Sequence, residues 1–261
     1  MTTSVKSSEE IEAASKANAS SFGGIPPNIG PARRILEHNG IAAEDREKAW
    51  SIFPYGCIGS FSFLDMTSVL EDPAFKIVTT RLTKPGSTET FLDVGCCLGT
   101  VIRHLAVEGV SAERLYGTDL QPGFLELGYE LFGDRDTKAT FVAGNMLSDD
   151  NSLDVLTGKM DIIYAASFIH LFERDDQLKA ARKMISFLRP DNPKALIFGT
   201  NGGFKDEDWQ KYVLDADAWQ SLWDELGTMT GTRWKTGMDW EETETTVRAR
   251  FLVHRADDGS A

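Results

Sequence analysis

The sequence predicts an α/β protein with a mostly parallel sheet covered by helices on both faces. Short apolar segments alternate with helical segments from residue 85 to about residue 200. Such alternation is typical of right-handed βαβ units, which place helices on both sides of a parallel sheet. The last third differs, because two strand-like segments follow each other with no helix between them. We therefore expect the sheet to end in an antiparallel pair.

Local signals bound the predicted elements. Pro73 interrupts the first helix of this region, and Pro122 opens a later one. Pro190 and Gly227 end two more helices, and apolar residues at alternate positions predict the last strand. The predicted helices are 66–82, 100–107, 122–132, 175–188 and 215–226, and the predicted strands are 91–94, 114–118, 140–143, 160–165, 195–199, 233–236 and 246–254.

The composition divides the chain into three parts. Residues 1–24 contain few large apolar side chains, which predicts a disordered tail. Residues 25–84 contain short helical segments and an aromatic, glycine-punctuated stretch. We expect them to form an N-terminal helical cap over the carboxyl ends of the strands, where a substrate would bind. Residues 85–255 form the predicted sheet domain.

The charge balance excludes several classes of partner. The chain has 27 Lys and Arg against 40 Asp and Glu, a net charge of −13. Such a field repels nucleic acid and anionic membranes unless basic residues cluster, which they do not. The three cysteines form neither a disulfide framework nor a zinc-binding spacing. These features predict a cytoplasmic protein that binds no metal and acts on a small molecule. They leave open whether it forms a homo-oligomer.

The turn after the first predicted strand is the most informative segment. Its glycines, Gly95 and Gly99, have the spacing G-x-x-x-G, which differs from both the dinucleotide-binding fingerprint and the P-loop. Asp93 directly precedes this turn. A carboxylate there would repel a phosphate but attract an ammonium group. The pattern therefore disfavours a nucleotide cofactor such as NAD, although a dehydrogenase remains an alternative.

Two further positions define the ligand. Asp119 closes the second strand about 20 residues beyond Gly99, the offset at which an acidic residue binds ribose hydroxyls. Asn145 follows the third strand and could bind an adenine edge, with the apolar Met146 and Leu147 beside it. An ammonium group, a ribose and an adenine without a phosphate together describe S-adenosyl-L-methionine.

The segment 91–99, with Asp119 and Asn145, resembles the class I S-adenosylmethionine-dependent methyltransferases. That resemblance implies a Rossmann-like, seven-stranded, mostly parallel sheet with a terminal antiparallel hairpin. Asn145 departs from the superfamily, which often has Asp there, but an amide can still bind adenine. A narrower resemblance, to fungal meroterpenoid (polyketide–terpenoid) methyltransferases, covers about residues 30–235 and rests on the segments 50–59, 115–120, 127–136 and 166–172.

This narrower resemblance implies O-methylation of a carboxyl or hydroxyl group on a small, apolar secondary metabolite. A non-catalytic module that binds S-adenosylmethionine remains an alternative. The predicted cofactor-binding residues are Asp93, Gly95, Cys96, Gly99, Asp119, Leu120, Asn145, Met146 and Ser167. The predicted substrate-binding residues are Trp50, Phe53, Tyr55, Ile58 and Phe172, unless those in the cap simply pack it on the sheet.

His170, after the fourth strand, is the candidate general base. A hydroxyl acceptor would require one, whereas a carboxylate is already ionised at neutral pH. Alternatively, His170 supports the cofactor loop or packs between Phe168 and Phe172.

The acidic residues and cysteines near the glycine turn also have purely structural explanations. Asp93 could cap the turn amides, Asp119 could face solvent, and Cys96 and Cys97 are expected to pack rather than react. After the fifth strand, residues 201–204, with Trp209 and Tyr212, are predicted to form a lid.

Overall fold

The computed structural model describes residues 48, 49, 51, 52, 58, 62–64, 66–205, 210 and 212–256. The predicted tail and most of the predicted cap lie outside these residues. The domain boundaries at residues 24 and 84 therefore stay predictions.

Within the described part of the chain, one sheet contains seven strands in the order β3-β2-β1-β4-β5-β7-β6. Strands β1 to β5 are parallel, and β7 runs antiparallel to both β5 and β6. The predicted parallel sheet with an antiparallel ending is thus confirmed. The strands are β1 (Phe91–Val94), β2 (Leu115–Asp119), β3 (Thr140–Ala143), β4 (Ile162–Tyr164), β5 (Leu196–Phe204), β6 (Trp234–Glu242) and β7 (Thr246–Arg255).

Helices flank this sheet on both faces. The α-helices whose bounds lie within the described ranges are α1 (Thr67–Leu70), α2 (Pro73–Thr83), α3 (Thr100–Val107), α4 (Pro122–Phe132), α5 (Arg174–Phe187) and α6 (Ala216–Thr230). Short 3-10 helices span Ser62–Leu64, Ala112–Arg114, Asn151–Leu156 and Ile169–Leu171. The predicted helix over 66–82 is split because Asp72 accepts a hydrogen bond from Ala74 N at 2.7 Å and so caps α2.

The predicted lid at residues 201–204 is wrong, because these residues form the second half of β5. Asn201 pairs with Ala249 of β7, and Gly202 pairs with Arg248. A Cβ atom at position 202 would lie 2.5 Å from Val247 O, so glycine permits this close approach of the two strands. Trp209 lies outside the described residues, and Tyr212 lies in a turn before α6.

Helix α6 also extends beyond its predicted end. It ends before Gly231, which has a φ of +67°, rather than at Gly227. Gly227 lies inside the helix, where a Cβ would be 2.6 Å from Thr232 O. The glycine that suggested a helix end is therefore required for packing against the chain that leaves the helix.

Apolar clusters cover the sheet on both faces, as a parallel sheet requires. One cluster joins the sheet to α5 and α6 and includes Trp219 and Phe251. Another joins the opposite face to α2 and α3. A third packs Ala49, Ile58 and neighbouring residues against α4 and against Leu98 of the glycine turn. The described N-terminal residues thus contact the turn where the predicted cofactor would bind.

Candidate active site

The turn between β1 and α3 is held on the end of β2. Thr118 O accepts hydrogen bonds from Gly95 N at 2.8 Å and from Cys96 N at 3.0 Å. Positive φ angles occur at Gly95 (+74°), Cys97 (+51°) and Gly99 (+70°). Cys97 is a non-glycine residue in a left-handed conformation, which persists only where the surroundings hold it.

Both predicted glycines also permit close contacts. A Cβ at Gly95 would lie 3.0 Å from Cδ2 of Phe168, which follows β4. At Gly99 a Cβ would lie 2.6 Å from Cε1 of Phe141 and 2.7 Å from Nη1 of Arg103. The G-x-x-x-G spacing therefore reflects packing from two sides of the turn as well as backbone conformation.

Asp93 is a buried carboxyl, 4% exposed, next to this turn. The amides of Gly95 and Cys96 donate their hydrogen bonds to Thr118 O, so Asp93 does not cap them. No residue in the described part of the chain donates a hydrogen bond to its side chain. Burial, with a smaller contribution from the charge of Asp119, raises the pKa of Asp93 to about 8. A cationic ligand would favour the ionised form of this carboxyl.

Asp119 does not face solvent freely, because two backbone amides hold it. Its Oδ2 accepts from Cys97 N at 2.9 Å, and its Oδ1 accepts from Gln121 N at 3.0 Å. Burial raises the pKa of Asp119 above its usual value, while hydrogen bonds from backbone amides oppose that shift. Each oxygen retains a lone pair for a ligand hydroxyl. Leu120, the next residue, is 56% exposed beside this carboxylate.

The loop after β3 brings Asn145 to the same edge of the sheet. Its Oδ1 accepts a hydrogen bond from Leu147 N at 2.9 Å, which is an Asx turn. The amide nitrogen of the exposed Asn145 side chain remains available as a donor. Met146 is buried in the core cluster that includes Leu153.

The loop after β4 carries the candidate base. Ser167 has a φ of +51°, and its amide donates to Thr200 O at 2.7 Å. The rings of Phe168 and Phe172 pack edge to face with centroids 5.2 Å apart. That contact leaves no space for an imidazole between them, so His170 does not pack there.

His170 lies in the 3-10 helix Ile169–Leu171, and its Nδ1 is buried. Burial lowers the pKa of His170 to about 4, although the neighbouring Asn201 side chain opposes the shift. Asn201 is itself buried, and neither its Oδ1 nor Nδ1 of His170 has a hydrogen-bond partner among the described residues. The imidazole is therefore uncharged at neutral pH, as a proton acceptor must be.

Comparisons with known proteins agree with this arrangement. A family described as a methyltransferase domain matches residues 91–191, and one described as a meroterpenoid methyltransferase N-terminal domain matches residues 24–64. The chain is 36% identical to the O-methyltransferase phiE of Fungal sp., over 87% of this chain and 89% of that protein. It is 35% identical to the Asnovolin E/Chermesin D methyltransferase nvfJ of Aspergillus novofumigatus, over 82% of this chain and 77% of that protein.

The chain belongs to the fungal meroterpenoid methyltransferase family. It is 34% identical to another relative, the O-methyltransferase atr3 of Stereocaulon alpinum, over 88% of this chain and 74% of that protein. Among solved structures, the CurJ carbon methyltransferase aligns with a TM-score of 0.54 at 13% identity, over 94% of this chain and 71% of that one. At that identity the likeness concerns the fold alone, which is that of a class I methyltransferase.

The cofactor of this methyltransferase is S-adenosylmethionine, and the residues present fit it. Asp93 is a buried carboxyl that lacks a cationic partner among the described residues, and the cofactor carries an ammonium group. Asp119 is oriented by two amides at the carboxyl end of the neighbouring strand. Leu120 offers an exposed apolar surface next to it.

The structure describes only some of the predicted substrate-binding residues. Trp50, Phe53 and Tyr55 lie outside the described residues. Ile58 is fully buried beside Leu98 and Phe124, so packing accounts for it in this conformation. Phe172 is half-buried, and its role stays a prediction.

The two cysteines of the glycine turn were expected to pack rather than react. Cys96 is buried, and burial raises the pKa of its thiol, so the packing interpretation suits it.

Sequence reasoning missed two residues of this site. Asn201 was assigned to a lid, but β5 places it beside His170. Arg103 was not singled out, since a single Arg on a mostly apolar helix has no local signature. The sequence could have indicated Arg103 only if it had been considered together with Asp134 and the aromatic residues near Asp134, which could surround a buried positive charge.

No candidate metal site was found among the residues the structure describes: no three His, Cys, Asp or Glu side chains there come together to hold an ion. No described helix is long and apolar enough to cross a membrane.

Proposed function

We propose that this methyltransferase O-methylates a carboxyl or hydroxyl group of a small, largely apolar secondary metabolite, such as a polyketide–terpenoid intermediate. The observation that carries the proposal is the position of His170 in the loop after β4, at the carboxyl edge of the sheet, with the exposed Leu171 and the half-buried Phe172 next to it. The names of the O-methyltransferases phiE and atr3 support the same reaction.

The cofactor residues have separate roles in this proposal. Asp93 binds the ammonium group, and Asp119 accepts hydrogen bonds from both ribose hydroxyls. Leu120 and Asn145 bind the adenine, at its face and its edge. The remaining predicted contacts, which shape the walls of the site through backbone or packed side chains, are Gly95, Cys96, Gly99, Met146 and Ser167.

The protein contributes orientation and a proton acceptor to the reaction. When bound, S-adenosylmethionine supplies an electrophilic methyl group on a positively charged sulfur. The chain holds the acceptor oxygen in line with that group and excludes water. A carboxylate acceptor has no proton to lose, so His170 would only orient it. A hydroxyl acceptor passes its proton to the imidazole.

The acceptor side combines described and undescribed residues. Leu171 is 47% exposed on the same 3-10 helix as His170. We expect Leu171 and Phe172 to form one wall of an apolar pocket and Trp50, Phe53 and Tyr55 of the cap to form the other. Ile58 would reach the acceptor only if the residues that bury it moved.

His170→Asn tests the proposal with matched acceptors, one with a carboxyl and one with a phenolic hydroxyl group. For a hydroxyl substrate we expect kcat at saturating substrate to fall at least about 100-fold, because proton removal is lost. For a carboxyl substrate kcat should stay within about threefold. With the pKa of His170 near 4, the wild-type rate should show no His170 transition between pH 6 and 8.

Product analysis by mass spectrometry and NMR identifies the methylated atom. Ser186→Ala, on the exposed side of α5, is the control variant, and we expect it to keep the wild-type rate with both acceptors. A methyl group found on carbon or nitrogen, or the absence of O-methyl product with every acceptor of both classes, would overturn the proposal.

A further inference from the structure

Arg103 joins the glycine turn to the loop after α4. It lies on α3, and its side chain is 8% exposed. Nη1 donates to Leu98 O at 2.6 Å and to Gly99 O at 3.3 Å. Nε and Nη2 donate to the two carboxylate oxygens of Asp134, at 2.7 and 2.8 Å. One guanidinium group therefore bonds to two carbonyls of the turn and, in bidentate geometry, to one carboxylate.

Aromatic rings enclose the same guanidinium group. Its carbon lies 4.5 Å from the ring centroid of Phe132, 5.1 Å from that of Phe141 and 5.8 Å from that of Tyr129. Water is largely excluded here, so the ion pair and the cation–π contacts are stronger than on the surface. Such a charge is retained in an apolar setting only with its partners in place.

Glycines on both sides make room for this group. A Cβ at Gly99 would lie 2.7 Å from Nη1 of Arg103. A Cβ at Gly128 of α4 would lie 2.6 Å from Leu98 O and 3.3 Å from Nη1. The turn, α3 and α4 therefore fit together around Arg103, and a change in its position would move the turn.

The turn is the point where this cluster meets the cofactor site. Leu98 O is bound by Arg103, while the preceding residue, Cys97, donates its amide to Asp119. Arg103 thus fixes the Leu98 end of the dipeptide 97–98, and Asp119, the predicted ribose-binding residue, fixes the Cys97 end. Cys97 has a φ of +51°, a strained conformation that requires such support.

We propose that Arg103, paired with Asp134, is a positioning residue for cofactor binding. It holds the glycine turn in the conformation in which Cys97 N orients the Asp119 carboxylate and the backbone leaves space for the cofactor. The inference rests on the proposed role of Asp119. It predicts an effect on cofactor affinity and none on the acceptor, because the described contacts of Arg103 include neither the loop of His170 nor Phe172.

The test measures binding of S-adenosylhomocysteine to the full chain by calorimetry, together with steady-state kinetics. Arg103→Lys keeps the positive charge but loses the planar guanidinium group that bonds in bidentate geometry. Asp134→Asn replaces the carboxylate by an amide of the same shape. Each variant is expected to raise Kd for S-adenosylhomocysteine and KM for S-adenosylmethionine about 10- to 100-fold. The kcat at saturating cofactor and KM for the acceptor should stay within twofold.

Arg114→Lys is the matched control. Arg114 donates to Glu89 O at 2.7 Å and to Leu82 O at 2.9 Å, so it also binds two carbonyls, but at the amino end of the parallel strands. The Arg114→Lys variant should have a lower Tm and an unchanged Kd for S-adenosylhomocysteine. The inference is overturned if Arg103→Lys and Asp134→Asn both bind S-adenosylhomocysteine within twofold of wild type, or if Arg114→Lys loses as much affinity at an equal loss of Tm.

The design separates this inference from the proposed function. If Arg103→Lys does not fold, the Asp134→Asn variant alone decides, since it keeps the shape of the site. Unchanged binding in these variants, with O-methyl product still formed, would refute only the positioning role. A methyl group on carbon or nitrogen would refute only the proposed function.

Discussion

At the scale of single residues, Asp93 is a buried carboxyl whose ionisation destabilises the protein when no cofactor is bound. A buried carboxyl that receives no hydrogen bond from the described residues is costly when ionised. Its folded-state pKa of about 8 lies far above the ordinary value of 3.8. The stability associated with its protonated form is fully present below pH 3.8 and is lost as the pH rises towards 8. At neutral pH the cofactor's cation would offset part of this cost.

Asp93→Asn should therefore stabilise the cofactor-free protein as it weakens binding. At pH 8 we expect a Tm at least 2 °C above that of wild type, about the shift that 1 kcal/mol produces in a chain of this size. Affinity for S-adenosylhomocysteine should fall at least about tenfold. Thermal unfolding of both proteins between pH 5 and pH 8 provides the measurement. Equal dependence of Tm on pH in the two proteins would show that Asp93 is not the group responsible.

At the scale of elements, sequence patterns predicted the βα units of the parallel sheet with almost their observed bounds. Helix α4 begins at Pro122 and ends before Gly133, as its local signals indicate. Strand β5 was predicted too short because its extension depends on β7, which lies more than 40 residues later in the chain. Residues 201–204 were predicted to form a lid, whereas Gly202 permits the close approach of β5 to Val247.

Gly202→Ala tests that explanation. A Cβ at 2.5 Å from Val247 O must displace backbone, so we expect a loss of about 1–3 kcal/mol in the free energy of unfolding, measured in urea. Gly237→Ala in β6 is the control, because its nearest neighbour would be Leu252 Cβ at 4.0 Å. It should change the free energy by less than about 0.5 kcal/mol. Equal effects of the two substitutions would contradict the close-contact explanation.

At the scale of the whole molecule, the candidate site residues that sequence patterns could single out lie close to a strand end. Asp93 and Asp119 were predicted to share a site because parallel strands bring their carboxyl ends to one edge. Arg103 was missed because its partner Asp134 is 31 residues away and its aromatic neighbours lie on two other elements. The proximity of Asn201 to His170 was missed because it depends on the true length of β5.

The acidic residues behind the net charge of −13 differ in their environment. The net charge by itself disfavours only nucleic acid and anionic membranes as partners. Most acidic residues have no proposed chemical role, and several form exposed pairs, such as Glu113 with Lys138. Asp93 and Asp119 differ from those residues in being largely buried at the glycine turn, where they would meet a ligand that carries an ammonium group and ribose hydroxyls.

The central claim is that this edge of the sheet binds S-adenosylmethionine through Asp119. A calorimetric titration with S-adenosylhomocysteine, of wild type and of Asp119→Ala in parallel, tests it most directly. We expect one site per chain in the wild type and at least a 100-fold loss of affinity in the variant, with Glu113→Ala on the surface unchanged. Equal affinity of Asp119→Ala and wild type would contradict the account.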